Sequence, residues 1–281
     1  MTKLLRADFA RLWKNKVFWI GIASMFIWPT IMLIAGYRTS LSTGYVRTLD
    51  GFFFQYAPLI GGFCAVFTSL FLGTDYSDGT IRNKIAVGHF RHSIFFANLT
   101  ISAAASMLMN ATWVLTMLTI GTLLFGWFSS GTSIVLIYLG ISIFMLFAFA
   151  TIFTTVGMLN QSKANGAVIA LLVFLGILFC GSYVDNRLNE PEMYSGGIVI
   201  TDTLDSPATV QLGEPTPNPD YIQGSKRKLF EFLVGFLPTG QGIRMSYMKL
   251  EHLPLLPLYS LFIAVIATLV GVSSFRRKDI K

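Results

Sequence analysis

The stretch that decides the fold is Asp75–His92, DYSDGTIRNKIAVGHFRH, which separates two long apolar runs that carry no charge. Its residue types predict a short helix with a typical helix-terminating residue at each end. Asp78 is a typical N-cap, Thr80–Val87 can form the turns, and Gly88 can adopt the left-handed conformation after the last turn. A connection between two membrane helices needs fewer residues than this, so the loop has a structure of its own.

This predicted helix has one apolar side. Ile81 and Ile85 stand one turn apart and therefore face the same way. The other positions hold Arg82, Asn83 and Lys84. Such a helix suits docking onto a partner, and it equally suits a solvated basic loop beside anionic lipid. The residues alone leave both interpretations open.

Composition places the chain in a membrane. Hydrophobic residues make up 53% of it and charged residues only 12%, about half the charged share of a soluble domain. The net charge of +7 is not the pattern of a nucleic-acid-binding protein, because the basic residues cluster at the edges of apolar runs. Both cysteines, Cys64 and Cys180, lie inside apolar runs, which argues against a disulfide framework or a metal site.

The sequence predicts an all-α polytopic membrane protein with six transmembrane helices. Residues 1–16 form an amphipathic helix, 17–184 the first five spans with the loop at 75–92, 185–254 a separate domain, and 255–281 the sixth span with a basic tail. The predicted spans are Val17–Gly36, Phe52–Gly73, Ile94–Phe125, Ile134–Met158, Gly166–Val184 and Leu255–Ser274. The third is longer than a bilayer requires, so it is predicted to tilt or to protrude into the cytoplasm.

The N-terminal segment Thr2–Lys16 is predicted to lie in the membrane interface. At helical spacing Leu5, Phe9, Leu12 and Trp13 fall on one side, and basic residues lie mostly opposite. An ordinary basic tail that only sets the topology is the alternative.

The third span carries one polar stripe at every fourth residue, formed by Asn98, Ser102, Ser106 and Asn110. Hydrogen bonding between helices is the preferred interpretation, and the lining of a transport pathway is the other.

Residues 185–254 differ from the rest in holding most of the acidic residues and seven of the ten prolines. Ile198–Thr201 and Ala208–Leu212 are predicted to form two short strands. Leu229–Leu237 is apolar on one helical side, is too short to cross, and is ended by Pro238. It is therefore predicted to be a re-entrant or interfacial helix.

Lysine and arginine residues beside the spans predict the orientation. Arg38 and Arg47 are the only two in the short loops on one side, whereas the other side holds a larger set: Lys3, Arg6, Arg11, Lys14, Lys16, Arg82, Lys84, Arg91, Lys163, Arg276, Arg277, Lys278 and Lys281. Both termini are therefore predicted to be cytoplasmic and the 185–254 domain extracellular.

The chain lacks the chemistry of an energy-using enzyme. No Asp, Glu, Lys, Arg or His lies in a predicted span, which argues against an ion-coupled carrier. The sequence has no phosphate-binding GxxxxGK[ST] motif and no convincing nucleophile–base pair. We therefore predict no catalytic residues, no metal and no cofactor in this chain, and energy supplied by a partner.

The loop residues also resemble a known family. Asp75–Lys84, with Gly88 and Arg91, is similar to the first cytoplasmic loop in permease subunits of bacterial ABC exporters of the type-2 family, and Leu237–Gln241 and Phe275–Lys281 resemble other segments of that family. The resemblance implies an N-terminal elbow helix and a coupling helix that seats on an ATPase subunit. The residues that would form the coupling site are Asp75, Asp78, Gly79, Thr80, Ile81, Arg82, Asn83, Lys84, Ile85 and Gly88.

The same resemblance implies the partners. Two permeases, identical or related, would pair in the cell membrane above two ATPase subunits that carry ATP and Mg. The cargo cavity would lie at the interface between the two permeases and be lined by the second and fifth spans, with lining residues Phe53, Phe54, Gln55, Phe179 and Tyr183. A cavity without charge suits an amphiphilic or hydrophobic cargo such as a bacteriocin or other peptide, a lipid or a drug. Membrane lipids are further expected partners, and nucleic acid is not. The alternative function is a non-transporting sensor or immunity protein that binds a ligand through its extracellular domain.

Overall fold

The structure is a computed structural model that describes residues 2–194, 198–203, 206–212 and 215–278. It is mostly helical. The elements are α1 Thr2–Lys14, α2 Lys16–Thr43, α3 Asp50–Phe53, α4 Ile60–Ser77, α5 Thr80–Ala86, α6 Arg91–Thr116, a π-helical turn at Met117–Gly121, α7 Thr122–Phe125, α8 Thr132–Leu159, α9 Lys163–Asn189, β1 Met193–Tyr194, β2 Ile198–Thr203, β3 Ser206–Leu212, β4 Thr216–Pro217, α10 Gly224–Phe236, α11 Pro238–Ser246 and α12 Leu255–Arg277.

Five helical segments of the described residues are long and apolar enough to cross a membrane: α2, Arg91–Phe125, α8, α9 and α12. The chain is thus a helical, multi-pass membrane protein. Helix α8 is the central one. In its apolar 18-residue stretch 56% of the residues are buried, against 22% to 33% in the corresponding stretches of the other four segments. Those four leave a large apolar face for lipid or for a partner.

The second predicted span is not one continuous helix, so that part of the prediction is wrong. The apolar run begins as α3, passes through turns at 54–59 and resumes as α4. Pro58 has no N–H and disfavours helical geometry at the residue before it. Non-helical backbone is tolerated at membrane depth only where protein covers it. Phe53, Phe54 and Ala57 are accordingly fully buried, and Trp113 Nε1 donates to the Phe53 carbonyl at 2.8 Å.

The polar stripe of α6 faces other helices. All four of its side chains are buried. The Cys64 thiol of α4 donates to Ser106 Oγ at 3.0 Å, and Asn98 Nδ2 donates to Met158 Sδ of α8 at 3.2 Å. These contacts support the interhelical interpretation of the stripe.

The 185–254 segment contains the predicted strands and one helix that was not predicted. β2 and β3 pair antiparallel, and the short β1 pairs with β4. α10 covers the predicted helix, but a second helix, α11, begins at Pro238 directly after it. Proline fits the first turn of a helix because its missing N–H would be unpaired there in any case.

Candidate functional site

The candidate site is α5 and the residues that hold it, which we call the loop end of the molecule. The chain leaves α4 at Asp78, turns at Gly79 with a φ of +67°, and enters α5 at Thr80. The prediction that Asp78 is the N-cap is therefore wrong, because Gly79 occupies that position. Glycine adopts this left-handed conformation at little cost, which permits the abrupt turn. Gly88 has the predicted positive φ, at +93°.

One side of α5 is buried. Ile81 is fully buried and Ile85 packs against the same apolar core. Arg82 and Asn83 are exposed on the opposite side. The apolar side predicted from the spacing is thus the side that attaches α5 to the bundle.

A group of four charged residues fixes α5 to its neighbours. Lys84 Nζ lies 2.9 Å from Asp8 Oδ1 of α1 and 3.5 Å from Asp75 Oδ2 of α4. Arg11 of α1 pairs with Asp75, and its guanidinium lies 3.7 Å from the centre of the Phe71 ring. Two cations and two anions therefore join α1, α4 and α5 in one buried network.

Asp8 is the member of this network that the sequence analysis missed. The buried face of α1 carries Leu4, Asp8 and Leu12, whereas Trp13, predicted to lie on the apolar side, is half exposed. The sequence did contain a signal for this role: Asp8 lies one helical turn from Leu4 and from Leu12, on the same side of α1. A carboxylate buried among apolar side chains needs a cationic partner from another element.

Burial makes these charges depend on one another. It lowers the pKa of Lys84, and the hydrogen bond and charge of Asp8 oppose that change. It also lowers the pKa of Arg11, again against the attraction of Asp8 and of Asp78. Removing one member of such a network leaves a buried charge without compensation, which costs far more than an exposed pair contributes.

The outward surface of the loop end mixes polar and apolar groups. Val87 is 79% exposed and Phe90 is 71% exposed, close in sequence to the exposed Arg82 and Asn83. The Phe90 ring stacks on His92 with the ring centres 5.4 Å apart. Exposed apolar side chains rimmed by polar ones are typical of a surface that binds another protein.

Two further cations tie the ends of neighbouring helices together. Arg91, at the exit of the loop, contacts α12, and Lys278, directly after α12, contacts α8 and α4. Arg91 Nη1 donates to the carbonyls of Phe275 at 3.0 Å and Arg276 at 3.1 Å, both in the last turn of α12. Lys278 Nζ donates to the Met158 carbonyl at the end of α8 at 2.9 Å and to Tyr76 Oη of α4 at 3.2 Å. Burial lowers the pKa of Lys278 to about 8. Cations are well placed here, because the last carbonyls of a helix carry partial negative charge.

The five predicted cavity residues separate into three groups. Gln55 and Phe179 line a cavity of about 570 Å³ between the 54–59 turns, α9 and α11, which we call the outer cleft. Tyr183 is exposed on α9, with its ring 6.3 Å from that of Phe230. Phe53 and Phe54 are fully buried in the core and do not line the cleft. The structure therefore brings two of the five residues together.

An ion pair that the sequence analysis did not single out stands at the outer cleft. Asp185 is a buried lining residue, and its Oδ1 accepts from Arg244 Nε of α11 at 3.0 Å. Arg244 Nη1 also lies 3.2 Å from Glu251 Oε2. The pair links the end of α9 to α11.

No family model matches this chain, and no curated protein matches it either.

Proposed function

We propose that the chain is the permease subunit of a bacterial ABC exporter of the type-2 family, with α5 as the coupling helix that contacts the ATPase. The observation that carries this proposal is the two-sided construction of α5. Its inner side is fixed by Ile81 and Lys84, while Arg82 and Asn83 are exposed on its outer side and the exposed Val87 and Phe90 follow directly after the helix.

The proposal includes six crossings of the cell membrane with both termini cytoplasmic. Helix α4 has 18 residues and is about 27 Å long, so that with α3 and the buried turns it can complete a second span. The positive-inside rule places the loop end in the cytoplasm. α10 and α11 would then form a re-entrant pair on the outer side, within the extracellular domain 185–254.

In this mechanism the chain hydrolyses no ATP itself. ATP and Mg would bind to the partner subunits, whose closure would push on α5. The network of Asp8, Arg11, Asp75 and Lys84 would pass that displacement to α1 and α4, and the bonds of Arg91 would pass it to α12. A second permease, identical or related, would pack against the exposed apolar faces of the spans.

The outer cleft is the proposed point of cargo release. It lies between the second and fifth spans and combines the apolar side chains of Leu178 and Phe179 with polar groups. These are the amides of Gln55, Asn186 and Asn189 and the charged side chains of Asp185 and Lys249. This lining suits an amphiphilic cargo with hydrogen-bonding groups, such as a peptide, more than a purely hydrocarbon one.

The test is an uncoupling substitution at the exposed side of α5. In the assembled transporter, Arg82→Glu should reduce cargo-stimulated ATP hydrolysis and export about tenfold or more, because a reversed charge at a protein interface costs several kcal/mol. The permease should still insert and melt as the wild type does. Gly79 is a poorer target, because its positive φ makes any side chain strained there.

The matched control is Arg277→Glu, which reverses an exposed arginine on the same proposed side of the membrane but at the end of α12. It should leave ATP hydrolysis and export within twofold of wild type. Equal export by the Arg82→Glu and wild-type proteins would refute the coupling role of α5.

A ligand-binding sensor or immunity protein is the second candidate. It is favoured by a cavity of about 230 Å³ between α10, α11 and the start of α12, lined by Lys228, Arg244, Glu251 and Tyr259 among others. Purification from the native host separates the two functions: an exporter permease should bring ATPase subunits with it, and a sensor should not.

A further inference from the structure

An apolar groove of about 410 Å³ runs along α2. Val17, Ile20 and Trp28 of α2 form one wall, Val66 of α4 is part of the opposite wall, and Leu171 of α9 also lines the groove. Its remaining lining residues are Gly21, Leu59, Gly62, Phe63, Phe67 and Met109. No charged side chain belongs to this lining, so the groove suits a hydrocarbon.

The length of the groove matches half of a bilayer. Val17 and Trp28 are eleven residues apart on one continuous helix, which corresponds to about 16 Å along its axis. The hydrocarbon core of a membrane is about 30 Å thick, so one leaflet accounts for about 15 Å of it. An acyl chain of one leaflet fits this lined stretch, and the apolar surface of α2 continues beyond it at Ile27, Ile31 and Met32.

The end of the groove at Val17 is basic and aromatic. Lys14 and Lys16 are exposed there, and Lys16 stands one turn before the wall residue Ile20, on the same side of α2. Trp13 and Trp19 are each about half exposed, and Trp19 Nε1 donates to the Trp13 carbonyl at 2.8 Å. Tryptophan pairs of this kind mark the level of the lipid headgroups.

Among the described residues, neither Lys14 nor Lys16 forms an ion pair with a carboxylate. Asp8 is the only acidic residue between Thr2 and Leu49, and it is buried against Lys84. The charge of Lys14 and Lys16 is therefore free to attract an anion at the headgroup level, and each such residue adds to the attraction of an anionic lipid.

We propose that this groove binds one acyl chain of an anionic phospholipid, whose phosphate headgroup contacts Lys14 and Lys16. The inference goes beyond the proposed function. It borrows from that proposal only the identity of the leaflet, which would be the cytoplasmic one, and it requires no ATPase subunit.

The test uses the purified full chain in vesicles of phosphatidylcholine mixed with phosphatidylglycerol, with bromine on the acyl chains of one lipid or the other. Bromine quenches the tryptophans nearest to it. Brominated phosphatidylglycerol should quench the wild type more than brominated phosphatidylcholine does. Lys14→Gln combined with Lys16→Gln should reduce this lipid preference roughly tenfold, while Arg276→Gln combined with Arg277→Gln should leave it unchanged.

A second pair of variants tests the groove itself. Leu171→Phe narrows it, whereas Leu172→Phe adds the same bulk to a neighbouring side chain that is 62% exposed and does not line it. Native mass spectrometry of the detergent-purified protein should show phosphatidylglycerol retained by the Leu172 variant and at least halved in the Leu171 variant, with equal melting temperatures. Equal quenching of the wild type by both brominated lipids would overturn the proposal, as would equal lipid retention by the two variants.

Discussion

The loop end and the outer cleft both contain carboxylates paired with cations, but they use them differently. At the loop end the side chains of Asp8, Asp75 and Lys84 are 4%, 1% and 11% exposed, and they fill the space between three helices. At the outer cleft Asp185 and Arg244 are similarly covered, but Glu251 is 63% exposed and the pair adjoins a cavity of about 570 Å³.

The difference indicates which end of the molecule can change shape. A packed network has few alternative arrangements, so displacement of one helix should carry the others with it. An ion pair beside an open space can exchange its partner for water or for a ligand. We therefore expect the loop end to move as one unit and the outer cleft to open and close.

The largest expected effect comes from removing one carboxylate at each end. Asp75→Asn should lower the free energy of unfolding by about 3–5 kcal/mol, because Arg11 loses its buried partner and Lys84 loses one of two. Asp185→Asn should cost about half as much, because Arg244 keeps Glu251 and has access to water. Thermal unfolding of the two variants in the same detergent measures both values.

Glu251→Gln is the control for that comparison, because its carboxylate is mostly exposed and should contribute less than about 1 kcal/mol. If Asp75→Asn lowered the free energy of unfolding no more than Glu251→Gln does, the loop end would not be more tightly packed than the outer cleft.

A smaller effect is expected from filling a close helix contact at the loop end. A Cβ atom on Gly73 of α4 would lie 2.7 Å from the Lys163 Cα, where α9 begins. Backbone cannot move aside as a flexible side chain can, so Gly73→Ala should destabilise the fold by about 1–3 kcal/mol.

Gly176, in the middle of α9, provides the comparison site, because a Cβ there would meet nothing within 4 Å. Gly176→Ala should be neutral or should stabilise the helix by up to about 1 kcal/mol. Equal unfolding midpoints for Gly73→Ala and Gly176→Ala would contradict the close packing proposed for the loop end.

The smallest effect concerns the pH dependence of the Lys278 contacts. Burial lowers the pKa of Lys278 to about 8 from its ordinary value of 10.5, so between these two values the unfolded chain binds more protons at this residue. Its contribution to stability should therefore be least favourable below pH 8 and should improve as the pH rises toward 10. The melting temperature of the wild type minus that of Lys278→Gln should increase over this range, and a constant difference would show that the amine is not desolvated.

The sequence predicted features that depend on neighbouring residues. The β2–β3 strands, the short helix before Pro238, the positive φ of Gly88 and the polar stripe of α6 all follow from residue type and spacing over a few turns, and each is found in the structure. The membrane class followed from composition, and five apolar helices support it.

Features that depend on distant residues were missed. The role of Asp8 requires Lys84, which is 76 residues away. The Gln55 side chain in the broken second span donates to the Ser246 carbonyl of α11 at 3.3 Å, a contact between residues 191 positions apart. Phe53 and Phe54 were expected in a cavity, but they cover this broken backbone instead. Residue type alone does not reveal which aromatic side chains serve that purpose.

The break at residues 54–59 also constrains how the chain is made. Gly242 of α11 lies directly against the Ala57 carbonyl, and the Gln55–Ser246 contact spans 191 residues. A ribosome adding about 5–20 residues per second needs about 10–40 seconds to supply that cover. The turn itself does not wait for α11, because the N–H groups of Gln55, Ala57 and Leu59 donate to the carbonyls of Phe52, Phe54 and Tyr56. Synthesis of α11 therefore adds the contacts that fix an already formed turn against the rest of the fold.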